Sequence, residues 1–285
     1  MQRYLLVILL ALVSVACDTD TPPDATNQSA TRIITLAPHL TELVFSVGAG
    51  DRLVGVVEYS DFPLAALKLP RIGDAFRLDH EVIAALDPDL ILAWESGTPI
   101  EVIDRLKQLG HRVVMIEAGS LDQVADSLRM IGQLVGTEQQ AEAVATTFEH
   151  SLNEIRVTAA GRTPVTVFYQ VAAQPLLTIT RQHVIGEAIE LCGGHNLFGE
   201  LPELSPSISP EAVIEAKPEV ILATQYTDDV SAANPLDVWL QWTSIPAVRN
   251  GNLFLIDANL MSRPSVRILD GVRELCGRIA LVRGD

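Results

Sequence analysis

Two stretches of this chain repeat one another: "LDHEVIAALDPDLILA" from Leu78 to Ala93, and "ISPEAVIEAKPEVILA" from Ile208 to Ala223. In each, a Glu is followed seven residues later by a Pro and then by Ile-Leu-Ala, and Glu81 and Glu211 lie 130 positions apart (211 − 81). Solenoid units run to roughly 20–50 residues, so a period this long predicts two similar lobes. A second pair keeps the same order: "ELVFSVGAGDRLVG" from Glu42 matches "EAIELCGGHNLFG" from Glu187.

Within each lobe the apolar pattern alternates between strand and helix. "RIITLA", "LVGVVEY", "DLILAW" and "RVVMIEA" are strand-like, and helical spacing separates them, with Asp79 and Ser120 as N-cap candidates and Gly136 as a stop. The alternation restarts at "PVTVFYQV" and continues through "LLTIT", "EVILAT" and "NLFLID" to a closing helix in "VRILDGVRELCGRIALV", with another helix near Trp239. Such alternation predicts βαβ units and a mainly parallel sheet in each lobe. Between the lobes, residues 137–161 contain no strand signal, and Val144, Phe148, Leu152 and Ile155 form one helical stripe. The fold expected is α/β, with two similar lobes of mainly parallel sheet flanked by helices and joined by one long helix. Its boundaries fall at 32–136, 137–161 and 162–285.

The N-terminal "MQRYLLVILLALVSVAC" has one Arg, an apolar run and small residues before Cys17. The run is too short for a comfortable membrane span, which takes ~20 residues, and it fits a lipoprotein-type signal over 1–17 with Cys17 as the lipidation site. A cleaved signal with an incidental Cys is the alternative. Residues 18–31, rich in Asp, Thr and Pro, have no apolar periodicity and are expected to act as a flexible tether. The other two cysteines, Cys192 and Cys276, are most simply a disulfide in an exported protein; two separate buried thiols are the alternative. The formal charge of −16 argues against nucleic acid as a partner.

The stretches "LAPHLTELVFSVGAGDRLVGVVEYSDFP", "LPRIGD", "ALDPDLILAW", "ELCGGHNLF" and "SRPSVRILDGVRELC" resemble the periplasmic substrate-binding proteins of cobalamin, haem and iron-siderophore ABC importers. They are most similar to the cobalamin (vitamin B12)-binding members. The resemblance covers nearly all of residues 32–285 and supports the Cys192–Cys276 pairing. It implies a helical-backbone periplasmic binding protein that captures a corrinoid, with no cofactor of its own, between its lobes. The loaded protein would hand the ligand to a membrane permease dimer with ATPase subunits. Location would be periplasmic, lipid-anchored to the periplasmic face of the inner membrane.

The resemblance also implies roles for residues. Glu81 and Glu211 fall where the family presents one docking carboxylate per lobe to permease arginines. Tyr59, Phe62, Phe76 and Trp94 fall at ligand-facing positions of the first lobe, where aromatic faces suit a large amide-edged ring. In the second lobe Leu177 and Leu204 stand where the family's cobalamin binders offer aromatics. Tyr169, Asn259 and Arg263 are the ligand candidates there, with Trp239 and Trp242 as further rings. Haem or a ferric siderophore is the alternative cargo: His39, after the first strand, is the one candidate metal ligand, and Arg77 or Arg263 would suit a siderophore. The chain has no G-x-S-x-G elbow, no P-loop and no G-x-G-x-x-G opening a helix, so a binding protein is expected, not an enzyme.

Overall fold

The computed structural model describes residues 29–74, 76–226 and 233–284. The expected signal and Cys17 lie outside the described residues. Ala30 is buried, and its N–H donates to the Leu134 carbonyl, while Asp89 accepts from both N–H and hydroxyl of Thr31. The folded body therefore includes the last residues assigned to the tether.

Strand β1 (Ile33–Thr35) leads into helix α1 (Pro38–Ser46) and strand β2 (Leu53–Val56). Helix α2 (His80–Leu86), strand β3 (Leu90–Trp94), helix α3 (Ile100–Gln108), strand β4 (Val113–Ile116) and helix α4 (Leu121–Val135) complete the first lobe. Helix α5 (Glu138–Ala159) links to strand β5 (Val165–Gln170), the two-residue strands β6 (Ala172–Ala173) and β7 (Leu176–Leu177), helix α6 (Val184–Leu191) and strand β8 (Gly194–Asn196). Then come helix α7 (Pro210–Ala216), strand β9 (Val220–Gln225), helix α8 (Pro246–Asn250), strand β10 (Leu253–Asp257), helix α9 (Ala258–Met261) and helix α10 (Ile268–Arg283). Near Trp239 the chain forms a 3-10 turn, Asp237–Trp239, in place of the expected helix. The expected strand "LLTIT" shrinks to β7 because its neighbour is the equally short β6.

The duplication reappears as topology. The first sheet has the order β2-β1-β3-β4 and the second β8-β5-β9-β10, all parallel. Helices α2 and α7 are both seven residues long, capped by Asp79 and Ser209, whose side chains accept backbone N–H groups of the first turn. Each anchors by one buried residue, Ile83 or Val213, and each ends on a left-handed residue, Asp87 at φ 45° or Lys217 at φ 49°. The repeated sentence thus encodes one structural unit twice. Ser120 forms the full capping box with Gln123, and Gly136 closes α4 at φ 69°.

One continuous apolar core runs through both lobes. It includes Ile33 and Leu92 of the first sheet, Phe148 and Leu152 of α5, Val167 and Tyr169 of β5, and Leu275 and Ile279 of α10. Separate clusters cover the other face of each sheet, around Ile83 and Ile91 in one lobe and Phe168 and Trp239 in the other. Because the shared core passes under α5, the lobes are packed together and do not hang on a bare linker. Cys192, at the end of α6, is disulfide-bonded to Cys276 in α10, with Cα atoms 4.7 Å apart and a sequence separation of 84. Replacing both by Ala is expected to cost about 4 kcal/mol by the chain-entropy account, read as a lower urea midpoint, with a somewhat steeper slope as the unfolded chain loses its cross-link.

Candidate functional site

In a parallel α/β sheet, ligands gather outside the carboxyl ends of the strands. A cavity of about 310 Å³ opens there, lined from the first lobe by Leu36 to His39 after β1, Val57 to Tyr59 after β2, Asp74 and Phe76, Trp94 at the end of β3, and Gly97 and Thr98 beyond it. The second lobe contributes Tyr226 after β9, and Ser262 and Arg263 after α9. A second hollow of about 380 Å³ runs between α5 and α10 over the disulfide. Only the first lies where strand ends of both lobes converge, and it is the candidate site.

Three of the expected rings line it. Tyr59 is 77% exposed and Phe76 73%, an unusual solvent exposure for rings unless something covers them. Tyr59 sits at φ 63°, a left-handed backbone that a non-glycine residue adopts at a cost of order 1 kcal/mol. Trp94 is half-buried, its Nε1 has no hydrogen-bond partner, and its ring meets His39 edge-on at 5.1 Å. The structure places other candidates elsewhere. Phe62 lines no part of the cavity; its ring lies 3.8 Å beneath the Arg267 guanidinium, a cation–π contact across the lobes. Tyr169 is 1% exposed in the shared core, because strand alternation aims Val165, Val167 and Tyr169 together at the helices. Asn259 is half-buried outside the cavity lining, its N–H donating to Asp257. Trp239 is a core residue that donates to Gln170 at 2.7 Å, while Trp242 and Arg77 line no part of the cavity. Tyr226 was not foreseen. It follows β9 as the aromatic loops follow β2 and β3, and a ring just beyond a strand end is the signal that would have found it.

Arg263 lines the cavity yet is 6% exposed and already engaged. Its Nη1 lies 2.5 Å from Asp61 Oδ1 and 3.3 Å from Glu42 Oε1, and its Nη2 donates to Asp61 Oδ2 at 3.2 Å. Glu42 also accepts from the Ser265 hydroxyl at 2.5 Å and Arg267 Nη1 at 3.2 Å. Burial pushes the Glu42 carboxyl above the usual carboxylate range against the pull of Ser265 and both guanidiniums. Burial works in the same direction at Asp61, but the Arg263 hydrogen bond and charge outweigh it and hold that carboxyl below its ordinary value. This network joins residues more than 200 positions apart and had no sequence signature.

His39 is 3% exposed with an unpartnered Nε2, and burial, helped by the Arg263 charge, depresses it to about 3. It is therefore neutral at ordinary pH. Unfolding releases a histidine that takes up a proton below about 6.5, so the unfolded state binds more protons and stability falls as pH drops from 6.5 towards 3. The slope from this group reaches about 1.4 kcal/mol per pH unit. His183, also lowered by burial, adds to it, while Glu42 and Glu187, held high by burial, act the other way as pH falls towards their ordinary value of about 4.5. Urea midpoints of His39→Gln and wild type should therefore diverge in pH dependence, with the variant flatter. Among the described residues no group of three or more His, Cys, Asp or Glu is placed to hold a metal ion. The two docking candidates, Glu81 and Glu211, are both exposed in the first turns of α2 and α7.

Residues 33–260 match the sequence profile of the periplasmic binding proteins. The chain belongs to that family. It is 35% identical over 248 residues to a vitamin B12-binding protein of Vibrio cholerae, covering 87% of this chain and 88% of the relative. The crystal structure of the periplasmic vitamin B12 binding protein BtuF of Vibrio cholerae superposes with a TM-score of 0.80 at 32% identity, over 90% of this chain and 99% of that one. A periplasmic haem-binding protein from Roseiflexus reaches 0.79 at 24% identity, over 90% of this chain and all of its own (100%), which is likeness of fold. These relatives are binding proteins, and the two-lobed α/β architecture predicted from the repeat is the one they share. Among the described residues no helix is long and apolar enough to cross a membrane.

Proposed function

We propose that this periplasmic binding protein captures cobalamin or a related corrinoid in the cleft between its lobes and delivers it to a membrane permease. The observation that carries this reading is the cavity at the converging strand ends, with Tyr59, Phe76 and Trp94 on one side and Tyr226 and Arg263 on the other. Rings that stand exposed at a cleft mouth suit a broad, partly apolar ring system. The vitamin B12-binding relatives support the same ligand class. Delivery rests on Glu81 and Glu211, one per lobe, docking on permease arginines, with ATP hydrolysis left to the partner subunits. Cys17 is the lipid anchor and residues following it the tether, which holds the protein at the periplasmic face of the inner membrane. The disulfide suits such an oxidising compartment.

Gel filtration of the protein after incubation with cyanocobalamin tests the capture step. The corrin's visible absorbance should co-elute with the protein, and substitution of the three first-lobe rings should release it. A colourless protein peak would contradict the corrinoid reading.

A further inference from the structure

The two lobes repeat a helix as well as the docking unit: α1 carries Glu42 where α6 carries Glu187, within the matched stretches "ELVFSVGAG" and "EAIELCGG". Each of these glutamates crosses to the opposite lobe and meets the head of its last helix, Glu42 through side chains and Glu187 through a backbone N–H. Glu42 accepts from Ser265 and Arg267, the residues that open α10. Glu187 Oε2 accepts from the N–H of Leu121, the first residue of α4, at 2.8 Å. Helix α4 follows the last strand of its sheet directly and α10 follows the last strand of the other after the short α9, so they too are counterparts. In both lobes, then, the first helix sends a carboxylate to the start of the other lobe's last helix. At α4 the first-turn N–H groups have no partner within their own helix, so the Glu187 carboxylate is a favoured acceptor there; at α10 Glu42 instead holds the hydroxyl and guanidinium that precede the helix.

We propose that Glu42 and Glu187 are paired positioning residues that set the separation of the lobes and hence the width of the cleft. Neither residue lines the cavity. Glu42 acts through Arg263, which does, and which also holds Asp61 in the loop that carries Tyr59. Glu187 acts through the backbone at the head of α4. Two latches related by the internal duplication resist rotation of one lobe on the other better than one, since a single contact leaves a pivot. The assignment does not depend on which ligand fills the cleft.

The test is the distance between spin labels on Lys107→Cys in α3 and Glu215→Cys in α7, both exposed sites, in the full chain with Cys17→Ser and its disulfide oxidised. With Glu42→Ala and Glu187→Ala together, the distance distribution should broaden and its mean move outward, with each single variant intermediate. Glu187→Gln should keep the wild-type distribution, because its amide oxygen still accepts from Leu121. A glutamate that only stabilises its own helix would lower the unfolding midpoint without moving this distance. If the double variant does not fold, Ser265→Ala with Glu187→Ala removes one contact at each latch and is read in the same way. A folded double variant with the wild-type distribution, or a Glu187→Gln that broadens as much as Glu187→Ala, would overturn the proposal.

Discussion

Glu81→Ala combined with Glu211→Ala should abolish uptake of the ligand while leaving its binding unchanged. Both carboxylates are exposed, and both stand in the first turn of a capped, seven-residue helix built twice from the same sequence unit. Neither lines the cavity, so loss of binding is not expected. A partner with two matched subunits would engage both at once, and removing one member of a charge-paired contact weakens docking by about tenfold or more. Single variants should therefore retain part of the uptake and the double variant none. The measurement is accumulation of labelled ligand in cells carrying each variant, beside the dissociation constant of the purified proteins. Wild-type uptake by the double variant would remove the docking assignment.

Truncating the first-lobe rings should have the other large effect, this time on binding itself. Tyr59→Ala, Phe76→Ala and Trp94→Ala each remove a surface that would be buried against the ligand. Each is expected to weaken affinity by roughly tenfold, and the triple variant by two to three orders of magnitude in total on the order of 3–4 kcal/mol. Trp94→Phe should keep most of the packing and weaken affinity less than Trp94→Ala. Tyr169→Phe should leave affinity unchanged, since that side chain lies in the core. Phe62→Leu acts on the Arg267 contact and should change affinity less than any of the three.

What could be read in the chain beforehand was local. The caps Asp79 and Ser120, the stop at Gly136, the α5 stripe and the repeated helical unit at Glu81 and Glu211 depend on residues within a turn or two of each other. The two parallel sheets followed once the repeat was seen as two lobes, but their strand orders did not. The direction of Tyr169 was not legible, because β5 is buried on both faces, so even the Thr166 and Gln170 side packs inside the protein. Phe62 lay in a matched loop, yet its partner is Arg267, some 200 residues on. The Glu42, Asp61, Arg263 and Arg267 network depends wholly on how the lobes meet, and no window of sequence contains both sides of it. Glu42 and Glu187 were visible as repeated letters, but their shared task appears only once α4 and α10 are in place.

The central claim is that a corrinoid is the cargo, and calorimetric titration of the purified protein with cyanocobalamin tests it most directly, with haem and a ferric siderophore titrated alongside. Tight binding of one cyanocobalamin per protein, without comparable binding of the other two, is the predicted result. Tight binding of haem or the siderophore with no heat from cyanocobalamin would contradict it.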